Sequence, residues 1–488
     1  MAFVTASSWL MVFEVAQLAT RVAKSIFILR QSALPAGALL TGPTLREQLR
    51  RGAHMATKHA ARRTGQRAGS LLTAAVGAAF IAVALFRRLS TMPSATTLLA
   101  VATFSTIALG RFFYVRWQLL RTISYNSFIN ARRDWERDSK VHAFPTELGG
   151  VEKWLRARDG SEAPLQPGAE SQVKWANVFR RQTGLCVVFL HGWGASPPEV
   201  APVDERLAEA LGANLLRFRL TGHGYAPEEG KSGEELHRGG VAVAERQSHL
   251  QLRRDAAAAF ALGRLLGERV VLVGCSTGGS LAVWLSGQPW VQRKIAAIVL
   301  VSPAFRLTAP YAVWVVFSWL ILLSPRAVAA LILRGFNGFH TLKRPSPKLT
   351  GDRGAAQARC WTRAWPIEAV RHVIGLYVVV RATVSYAKIR VPVLAFANPK
   401  DGAVSFEATR EAVGRMKRGE LEVVTDSENR HVITGAILSP STVERVTRRA
   451  VDFCVMETAE DFADAADIDA PPAEAGAAGP GPSLSKMK

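Results

Sequence analysis

The sequence contains little cysteine and none of the common motifs for metals, nucleotides or phosphates. Only four cysteines occur among 488 residues, and no two of them form a Cys-x-x-Cys pair. This argues against a zinc knuckle and a dense disulfide framework, and we expect isolated buried thiols in a reducing compartment. A Gly-x-x-x-x-Gly-Lys-Ser/Thr loop, a His-Glu-x-x-His pair and a dinucleotide Gly-x-Gly-x-x-Gly after a strand are also missing. We therefore expect no metal and no cofactor.

Acidic residues are few relative to basic ones. The chain has 39 Asp and Glu against 61 Lys and Arg, a formal net charge of +22. Such an excess indicates nucleic acid, an anionic membrane or an acidic substrate as a partner. No zinc-finger, RNP or comparable module accompanies it, so we expect no nucleic-acid partner. Residues 1–140 carry +14 and residues 304–390 carry +11, whereas the rest of 141–456 carries +2 and residues 457–488 carry −5. We predict that the two basic regions face anionic lipid.

Length and hydrophobic content indicate a folded protein with several parts. A chain of 488 residues allows two or three domains. A hydrophobic fraction of 49% excludes a wholly disordered or fibrous chain. Residues 1–67 form a basic arm with ten Lys and Arg and only two acids. This composition is typical of an organelle targeting segment and equally of a solvated cytosolic arm.

Two uncharged stretches follow the basic arm. Residues 68–86 are nineteen residues without a charge, and residues 94–110 are uncharged but diluted by Ser and Thr. A helix of the first length rises about 28 Å, close to the roughly 30 Å of a bilayer core. We predict one or two transmembrane helices, a hairpin if both insert; a buried helical pair is the alternative.

The flanks of these stretches predict their orientation. Basic residues lie at the outer ends more than in the loop, and the aromatic residues at 112–117 suit a membrane interface. A hairpin then places the downstream chain on the cytoplasmic side of a cell or organelle membrane. With a single span this orientation reverses.

Beyond residues 111–182, which we assign to a juxtamembrane connector and the start of the main domain, short apolar runs alternate with helical patterns such as 253–266. Buried runs in this alternation predict an α/β fold with a mostly parallel sheet covered by helices on both faces. The predicted strands are residues 185–190, 214–220, 269–273, 295–301 and 391–396. Residues 457–488, rich in Ala, Pro, Gly and acids, are predicted to be a disordered tail.

One turn carries the pattern of an activated serine. Gly274-Cys275-Ser276-Thr277-Gly278 follows the strand at 269–273 directly and opens a helical pattern at 279–286. A nucleophile elbow needs a buried strand, a sharp turn and then a helix, with small residues so that strand and helix approach closely. Such a turn exposes Ser276 Oγ in a strained backbone near a helix N-terminus. We predict Ser276 to be the nucleophile.

A serine hydroxyl needs a base and an acid that orients this base. Among ten histidines, only His431 lies beyond the last predicted strands, in a loop after an apolar run. Asp401 lies just past the strand at 391–396, where its carboxylate can reach the Nδ1 atom of the histidine. The chain order of serine, acid and histidine fits an elbow-type site. Asp426 and Glu428 are the alternative acids.

Backbone N–H groups are expected to bind the oxyanion of such a site. One is that of Thr277, directly after the candidate nucleophile. The other is expected from the loop His191–Pro197, which follows the strand at 185–190. We predict that Trp193 supplies this N–H while its ring forms a wall of the pocket, and that His191 is structural.

These pieces together resemble the α/β-hydrolase superfamily, in particular its carboxylesterase and monoacylglycerol-lipase-like branch. The resemblance extends over about residues 183–456 in the order of the family, and it implies an eight-stranded, mostly parallel sheet and ester hydrolysis through an acyl-enzyme on Ser276. Cys275 departs from the family, in which a bulkier or polar residue often precedes the serine. The matching segments are HGWGASPPE (His191–Glu199), RLTGHGYAPEE (Arg219–Glu229), LVGCSTGGSLAVWL (Leu272–Leu285), LVSPAF (Leu300–Phe305), VPVLAFANPKDGAVS (Val391–Ser405) and the loop around His431.

Residues 304–390 are long enough to form a helical cap over the site. They contain apolar runs at 311–323, 327–333 and 373–380, with Trp361 and Trp365 between them. In a cap these residues line a slot for an acyl chain or dip into a bilayer interface; the alternative is that they pack the cap onto the core.

The sequence therefore predicts a membrane-anchored serine hydrolase of the carboxylesterase or lipase type, acting on a hydrophobic ester. An acyltransferase or a thioesterase that uses the same three residues is the alternative within enzymes. A catalytically silent hydrolase fold, used as a membrane-bound interaction module, is the alternative of another class.

Overall fold

A computed structural model describes residues 109–110, 112–113, 144–161, 164–226, 248–324, 329, 349–362 and 367–468. The chain divides into two compact units, Met1–Ala79 and Phe80–Lys488, and every described residue belongs to the second. The predicted membrane spans at 68–86 and 94–110 lie outside the described residues except for the last two positions. Among the described helices, none has the length and apolar content of a membrane span.

Seven strands form one sheet in the described part of the chain, in the order β1-β3-β2-β4-β5-β6-β7. β1 runs antiparallel to β3, and all other neighbours are parallel. The mostly parallel sheet is thus confirmed. The strands are β1 (Gln172–Lys174), β2 (Thr183–Leu190), β3 (Asn214–Phe218), β4 (Gly267–Cys275), β5 (Ile295–Val301), β6 (Val393–Ala397) and β7 (Gly419–Val423).

Helices cover both faces of the sheet, as the alternating pattern predicts. α3, α4 and α8 pack on one face, whereas α2 and α10 pack together on the other. The α-helices are α1 (Val151–Gly160), α2 (Val203–Ala210), α3 (His249–Leu266), α4 (Thr277–Ser286), α5 (Pro289–Gln292), α6 (Tyr311–Leu323), α7 (Gly351–Cys360), α8 (Ile367–Thr383), α9 (Phe406–Val413) and α10 (Val443–Ile468).

The central strands are mostly apolar because both of their faces are buried; β3 is the exception, with buried Asn214 and the ion-paired Arg217. Every residue of β3, β5 and β6 is buried, as are the last six residues of β2. Their side chains belong to two hydrophobic clusters. One cluster also contains residues of α3 and α8, and the other contains residues of α2 and α10. This sheet holds the loops at its carboxyl-terminal edge in fixed positions.

The strand count differs from the eight that the family resemblance implies, since the described residues form seven. Two of the seven, β1 and β7, were not predicted. β1 has only three residues, and β7 reads Gly-Glu-Leu-Glu-Val, so neither has the continuous apolar run of a central strand. Both lie at the edges of the sheet, where charged residues are common because one side faces solvent.

The prediction of a disordered tail from residue 457 is wrong for its first part. α10 continues without a break to Ile468, and Thr458 is buried with its hydroxyl donating to the Cys454 carbonyl at 2.7 Å. Four of the twelve residues 457–468 are Ala, the strongest helix former, and extending an existing helix is far easier than starting one. Residues 469–488 lie outside the described residues.

The cap region contains α6, α7 and α8, with residues 325–328, 330–348 and 363–366 outside the described part. α6 coincides with the apolar run at 311–323 and packs against α8. One side of α6 packs onto the core, where Trp314 and Ile321 are buried. The other side is available for an acyl chain or a bilayer interface, since Val313 and Leu320 are half exposed. The ring of Trp319 contacts Phe112, one of the predicted interfacial aromatics, with centroids 4.9 Å apart.

Candidate active site

Ser276 sits in the strained turn that the motif predicts. It joins β4 to α4 with φ of 50° and ψ of −112°, a backbone conformation that non-glycine residues rarely adopt. The turn is held by the Ser276 N–H, which donates to the Val301 carbonyl at 2.9 Å, and by the Ala304 N–H, which donates to the Ser276 carbonyl at 2.9 Å. Ser276 Oγ therefore has a fixed position at the carboxyl-terminal edge of the sheet.

His431 and Asp401 complete a chain of hydrogen bonds from this serine. Ser276 Oγ and His431 Nε2 are 3.1 Å apart, and His431 Nδ1 and Asp401 Oδ2 are 2.8 Å apart. Because a carboxylate only accepts, Nδ1 carries the proton and Nε2 is left to accept the serine proton. The structure thus brings together the three side chains that the sequence singles out from three distant segments.

Asp401 owes its orientation to a tight turn after β6. The Asp401 Oδ1 atom accepts the N–H groups of Ala403 and Val404 at 2.7 and 3.0 Å, which leaves Oδ2 for the histidine. The two alternative acids are elsewhere: Asp426 pairs with Arg445 on the surface, and Glu428 binds Ser441. Asp401 is therefore the acid that the geometry selects.

Asn429 positions the histidine loop and was not predicted from the sequence. Its Oδ1 atom accepts the N–H groups of His431 and Val432 at 2.8 and 2.9 Å. Its own N–H donates to Ser439 Oγ at 3.0 Å. Asn side chains commonly accept the backbone N–H two residues later in such a turn, so the Asn at position 429 was the available clue.

The loop after β2 lies directly against the serine. A Cβ atom built on Gly192 would be 2.9 Å from Glu199 Oε1 and 3.2 Å from Ser276 Cβ, so a larger residue would have to displace Glu199 and press on the serine. The Gly192 N–H is taken by Glu199, which accepts it at 2.6 Å. The next residue, Trp193, packs its ring against Ala369 of the cap helix α8.

Thr277 begins α4, and its N–H has no acceptor within the helix. This N–H and that of Trp193 are the candidate oxyanion donors.

His191 is a structural residue, as the sequence predicts. It is fully buried, and its Nε2 accepts the Leu220 N–H at 3.0 Å while Nδ1 donates to the Gly192 carbonyl at 2.9 Å. Burial lowers the pKa of His191 from 6.5 to about 3. A neutral imidazole thus fixes the Gly192 carbonyl and the start of the loop His191–Pro197, which we call the oxyanion loop.

Glu199 and Cys275 form a buried pair behind the serine. Burial raises the pKa of the Cys275 thiol well above its ordinary range, and the nearby Glu199 charge raises it further. The thiol therefore stays protonated and is a poor nucleophile. Cys275 does not compete with the neighbouring Ser276, and Glu199 instead serves to hold the Gly192 N–H.

Hydrogen bonds attach the cap to the loops that follow β2 and β3. The Thr362 N–H donates to the Gly194 carbonyl at 2.8 Å, and Thr362 Oγ1 accepts the Gly224 N–H at 3.1 Å. On α8, the Tyr377 hydroxyl is 2.8 Å from Thr277 Oγ1, and burial raises the pKa of Tyr377 to about 12. This neutral hydroxyl links the cap to the residue that follows the serine.

Comparisons with known proteins show the family of the chain. The model of the alpha/beta hydrolase family matches residues 187–436, just over half of the chain. The chain belongs to the alpha/beta hydrolase family. The resemblance inferred from the sequence is thereby confirmed. No curated protein matches the sequence.

In the described residues, no group of three or more His, Cys, Asp or Glu side chains could hold a metal ion.

Solved structures similar to this alpha/beta hydrolase include several lipolytic enzymes. One comes from work on the metagenome-derived enzymes LipS and LipT, with 20% identity, coverage of 60% of this chain and 99% of the other, and a TM-score of 0.42. The monoacylglycerol lipase of Paleococcus ferrophilus has 20% identity, coverage of 59% and 98%, and a TM-score of 0.39. A soluble variant of monoglyceride lipase from Saccharomyces cerevisiae has 15% identity, coverage of 59% and 92%, and a TM-score of 0.37.

The role of Asp401 in this hydrolase is testable by the change Asp401→Asn. An amide in place of the carboxylate donates to His431 Nδ1 and so favours the tautomer whose Nε2 carries a proton and cannot accept that of Ser276. We expect kcat for ester hydrolysis to fall roughly 10⁴-fold with little change in KM. Asp426→Asn, the surface acid, is the matched control, and an equal loss in that variant would contradict the assignment.

The contact between Thr277 and Tyr377 is suited to a double-mutant cycle. Tyr377→Phe or Thr277→Val leaves one buried hydroxyl without a partner, which costs about 1–3 kcal/mol of unfolding free energy, whereas the double variant removes both hydroxyls. We expect the double variant to be more stable than the sum of the two single effects by about 1 kcal/mol, as measured by urea unfolding. Strictly additive effects would mean that the hydrogen bond does not form.

Burial of neutral His191 predicts acid sensitivity of the hydrolase fold. The folded pKa is about 3 against 6.5 for the free side chain, so between these pH values the unfolded state binds a proton that the folded state does not. Stability therefore falls as the pH falls, by up to about 1.4 kcal/mol per pH unit from this group. His191→Gln removes this contribution, and its unfolding free energy should fall less steeply from pH 6 to pH 4. Parallel curves for both proteins would contradict the prediction.

Proposed function

We propose that the protein is a serine hydrolase that cleaves carboxylic esters through an acyl-enzyme on Ser276. The observation that carries this proposal is the continuous set of hydrogen bonds from Ser276 Oγ through His431 to Asp401, with separations of 3.1 and 2.8 Å. This geometry matches what a general base needs in order to activate a serine hydroxyl. A catalytically silent fold would not need to keep all three groups aligned at a strained turn.

Acylation follows from these positions. His431 Nε2 takes the proton of Ser276 as Oγ attacks the ester carbonyl, and Asp401 stays ionised and holds the imidazolium that forms. The N–H groups of Thr277 and Trp193 bind the oxyanion, a contribution of about 3 kcal/mol for each donor. When the tetrahedral intermediate collapses, the carbon–oxygen bond to the alcohol breaks and His431 gives its proton to the leaving alkoxide.

Deacylation repeats these steps with water. His431 removes a proton from the water as its oxygen attacks the acyl carbonyl, and the second tetrahedral intermediate releases the carboxylic acid. Ser276 leaves with the proton that His431 returns, which restores the resting enzyme. An alcohol in place of water would give a new ester, the acyltransferase reaction.

The cap supports an ester with an apolar acyl group as the substrate. Ser276 is only 7% exposed, so its surroundings are largely desolvated and suit an apolar acyl group better than a polar one. The Trp193 ring and Ala369 of α8 form an apolar contact beside the oxyanion loop. Burial of each additional methylene contributes about 0.8 kcal/mol, which favours longer chains until the space is filled.

Membrane attachment is part of the same proposal. The uncharged stretches at 68–86 and 94–110 support it, as does the exposed apolar side of α6, where Tyr311, Val313, Val316 and Leu320 are all at least 39% exposed. Alkaline carbonate extraction of membranes that contain the full chain tests it. We expect the protein to stay in the pellet, and release into the supernatant would contradict an inserted anchor.

A chain-length series of p-nitrophenyl esters tests the substrate class. We expect kcat/KM to rise by up to about fourfold per methylene, from acetate to medium-chain esters, with free acid as the product. Product analysis with added glycerol separates the hydrolase from an acyltransferase, which would form a glyceride instead. A maximum at acetate would contradict an apolar acyl site.

A further inference from the structure

A cavity of about 740 Å³ lies at the amino-terminal ends of β4, β5 and β6. Among the described residues that line it, six are basic and none is acidic. The basic residues are Arg269, Arg293, Lys388, Arg390, Lys417 and Arg418. We call this the basic cavity.

The basic cavity is separate from the serine site. Arg269 lies near the start of β4, whereas Ser276 follows the end of the same strand. A strand advances about 3.3 Å per residue, so the two lie roughly 20 Å apart on opposite edges of the sheet. Lys388 and Arg390 belong to residues 304–390, whose charge the sequence assigns to a lipid-facing cap; the structure places these two cations at the edge away from the serine.

Carboxylates of the protein do not neutralise most of this charge. Arg418 pairs with Glu457, and Arg269 donates to the Ile295 carbonyl at 3.3 Å. Arg293, Lys388, Arg390 and Lys417 are exposed and, within the described residues, form no ion pair. The four cations without an ion pair repel one another, and a bound anion would relieve this repulsion.

Backbone contacts fix the shape of the basic cavity. Gln292 donates from Nε2 to the Lys388 carbonyl at 3.2 Å, and its Oε1 accepts the Arg390 N–H at 3.1 Å. The Val393 N–H donates to the Arg418 carbonyl at 2.8 Å. The segments that carry the basic groups are thus attached to one another and to the start of β6.

We propose that the basic cavity binds a small polyanion with two or more phosphate groups. Its volume lies within the range of about 300–1,000 Å³ that small-molecule sites occupy. Guanidinium groups match the two oxygens of a phosphate, and Lys adds point charges. Ile295, Val391 and Pro392 also line the cavity and offer an apolar surface to an organic part of the ligand. This site does not depend on the proposed ester hydrolysis.

Calorimetry on the full chain tests the site with inorganic tripolyphosphate as the probe. The variant Arg390→Glu/Lys417→Glu reverses two charges of the basic cavity. The control Lys153→Glu/Arg156→Glu makes the same change of net charge on α1, beside β1 at the far edge of the sheet. Both control residues are exposed. We expect the cavity variant to raise Kd at least about 30-fold and the control variant less than about threefold.

Vesicle sedimentation distinguishes the two sources of such phosphates. Phosphatidylcholine vesicles with and without a phosphatidylinositol bisphosphate are compared for wild type and both variants. Loss of tripolyphosphate binding in the cavity variant but not in the control, with no phosphoinositide dependence of wild-type sedimentation, supports a soluble ligand. Loss of phosphoinositide-dependent sedimentation in that variant alone supports a lipid headgroup. Equal weakening in both variants, or no binding of either probe by the wild type, overturns the proposal.

Discussion

Replacing His431 by alanine is expected to lower kcat for ester hydrolysis by roughly a million-fold, since within the described part of the chain His431 is the base hydrogen-bonded to Ser276 Oγ. His431 Nε2 is the hydrogen-bond acceptor 3.1 Å from Ser276 Oγ. Without it, the serine hydroxyl remains a weak nucleophile, and only the oxyanion donors and substrate binding still contribute. The measurement is single-turnover hydrolysis of an activated ester by the purified variant.

Arg430→Ala is the control for this change. Arg430 precedes His431 in the same loop and is exposed, so its removal should leave kcat within about twofold of the wild type. Both variants should unfold at nearly the wild-type temperature. A His431→Ala enzyme that keeps more than a small fraction of the wild-type rate would show that another base acts on Ser276.

Gly278→Ala is expected to have the largest effect on the fold. A Cβ atom at this position would lie 1.8 Å from the Leu190 carbonyl oxygen and 2.8 Å from that of His191. Both obstacles are backbone, so α4 would have to move away from β2, and with it the turn of Ser276. We expect a loss of about 4 kcal/mol or more in unfolding free energy, together with loss of activity.

Gly184→Ala provides the comparison within β2. A Cβ atom there meets nothing within 4 Å, and we expect its unfolding free energy to stay within about 1 kcal/mol of the wild-type value. Urea unfolding of the three proteins measures this difference. A stable and active Gly278→Ala protein would mean that strand and helix are not in the close contact described above.

The reacting groups could be predicted because each has a local signature. Gly274–Gly278 encodes a strand, a turn and a helix start within a few residues, and the chain order of Asp401 and His431 then limits the choice of partners. Polar residues after buried parallel strands gather at one edge of the sheet, so placement of the strands also placed these side chains together. The selection of Asp401 over Asp426 required the distances.

The supporting residues could not be predicted, because their contacts join segments far apart in sequence. Tyr377 meets Thr277 across 100 positions, and no local pattern in α8 distinguishes this tyrosine from a core residue. Glu199 lies seven positions after Gly192 but reads as an ordinary loop acid. Such contacts depend on how the cap and the loops pack, which hydrophobic periodicity does not specify.

The edge strands and the distribution of charge show a similar limit. β7 has alternating glutamates, and its pairing with β6 is decided by the sheet rather than by its own hydrophobicity. The net charge of residues 304–390 can be counted from the sequence, but the position of these charged side chains in the fold cannot be predicted from it. Lys388 and Arg390 follow α8 back to the start of β6 and join basic residues from three other segments.

Labelling with a fluorophosphonate probe tests the central claim most directly, because this probe reacts covalently with an activated serine. We expect rapid labelling of the wild type and of Ser286→Ala, which removes a buried hydroxyl of α4 that bonds only to its own helix. Ser276→Ala should take up no label while it unfolds at the wild-type temperature. Equal labelling of Ser276→Ala and the wild type, or no labelling of either, would contradict a serine hydrolase that acts through Ser276.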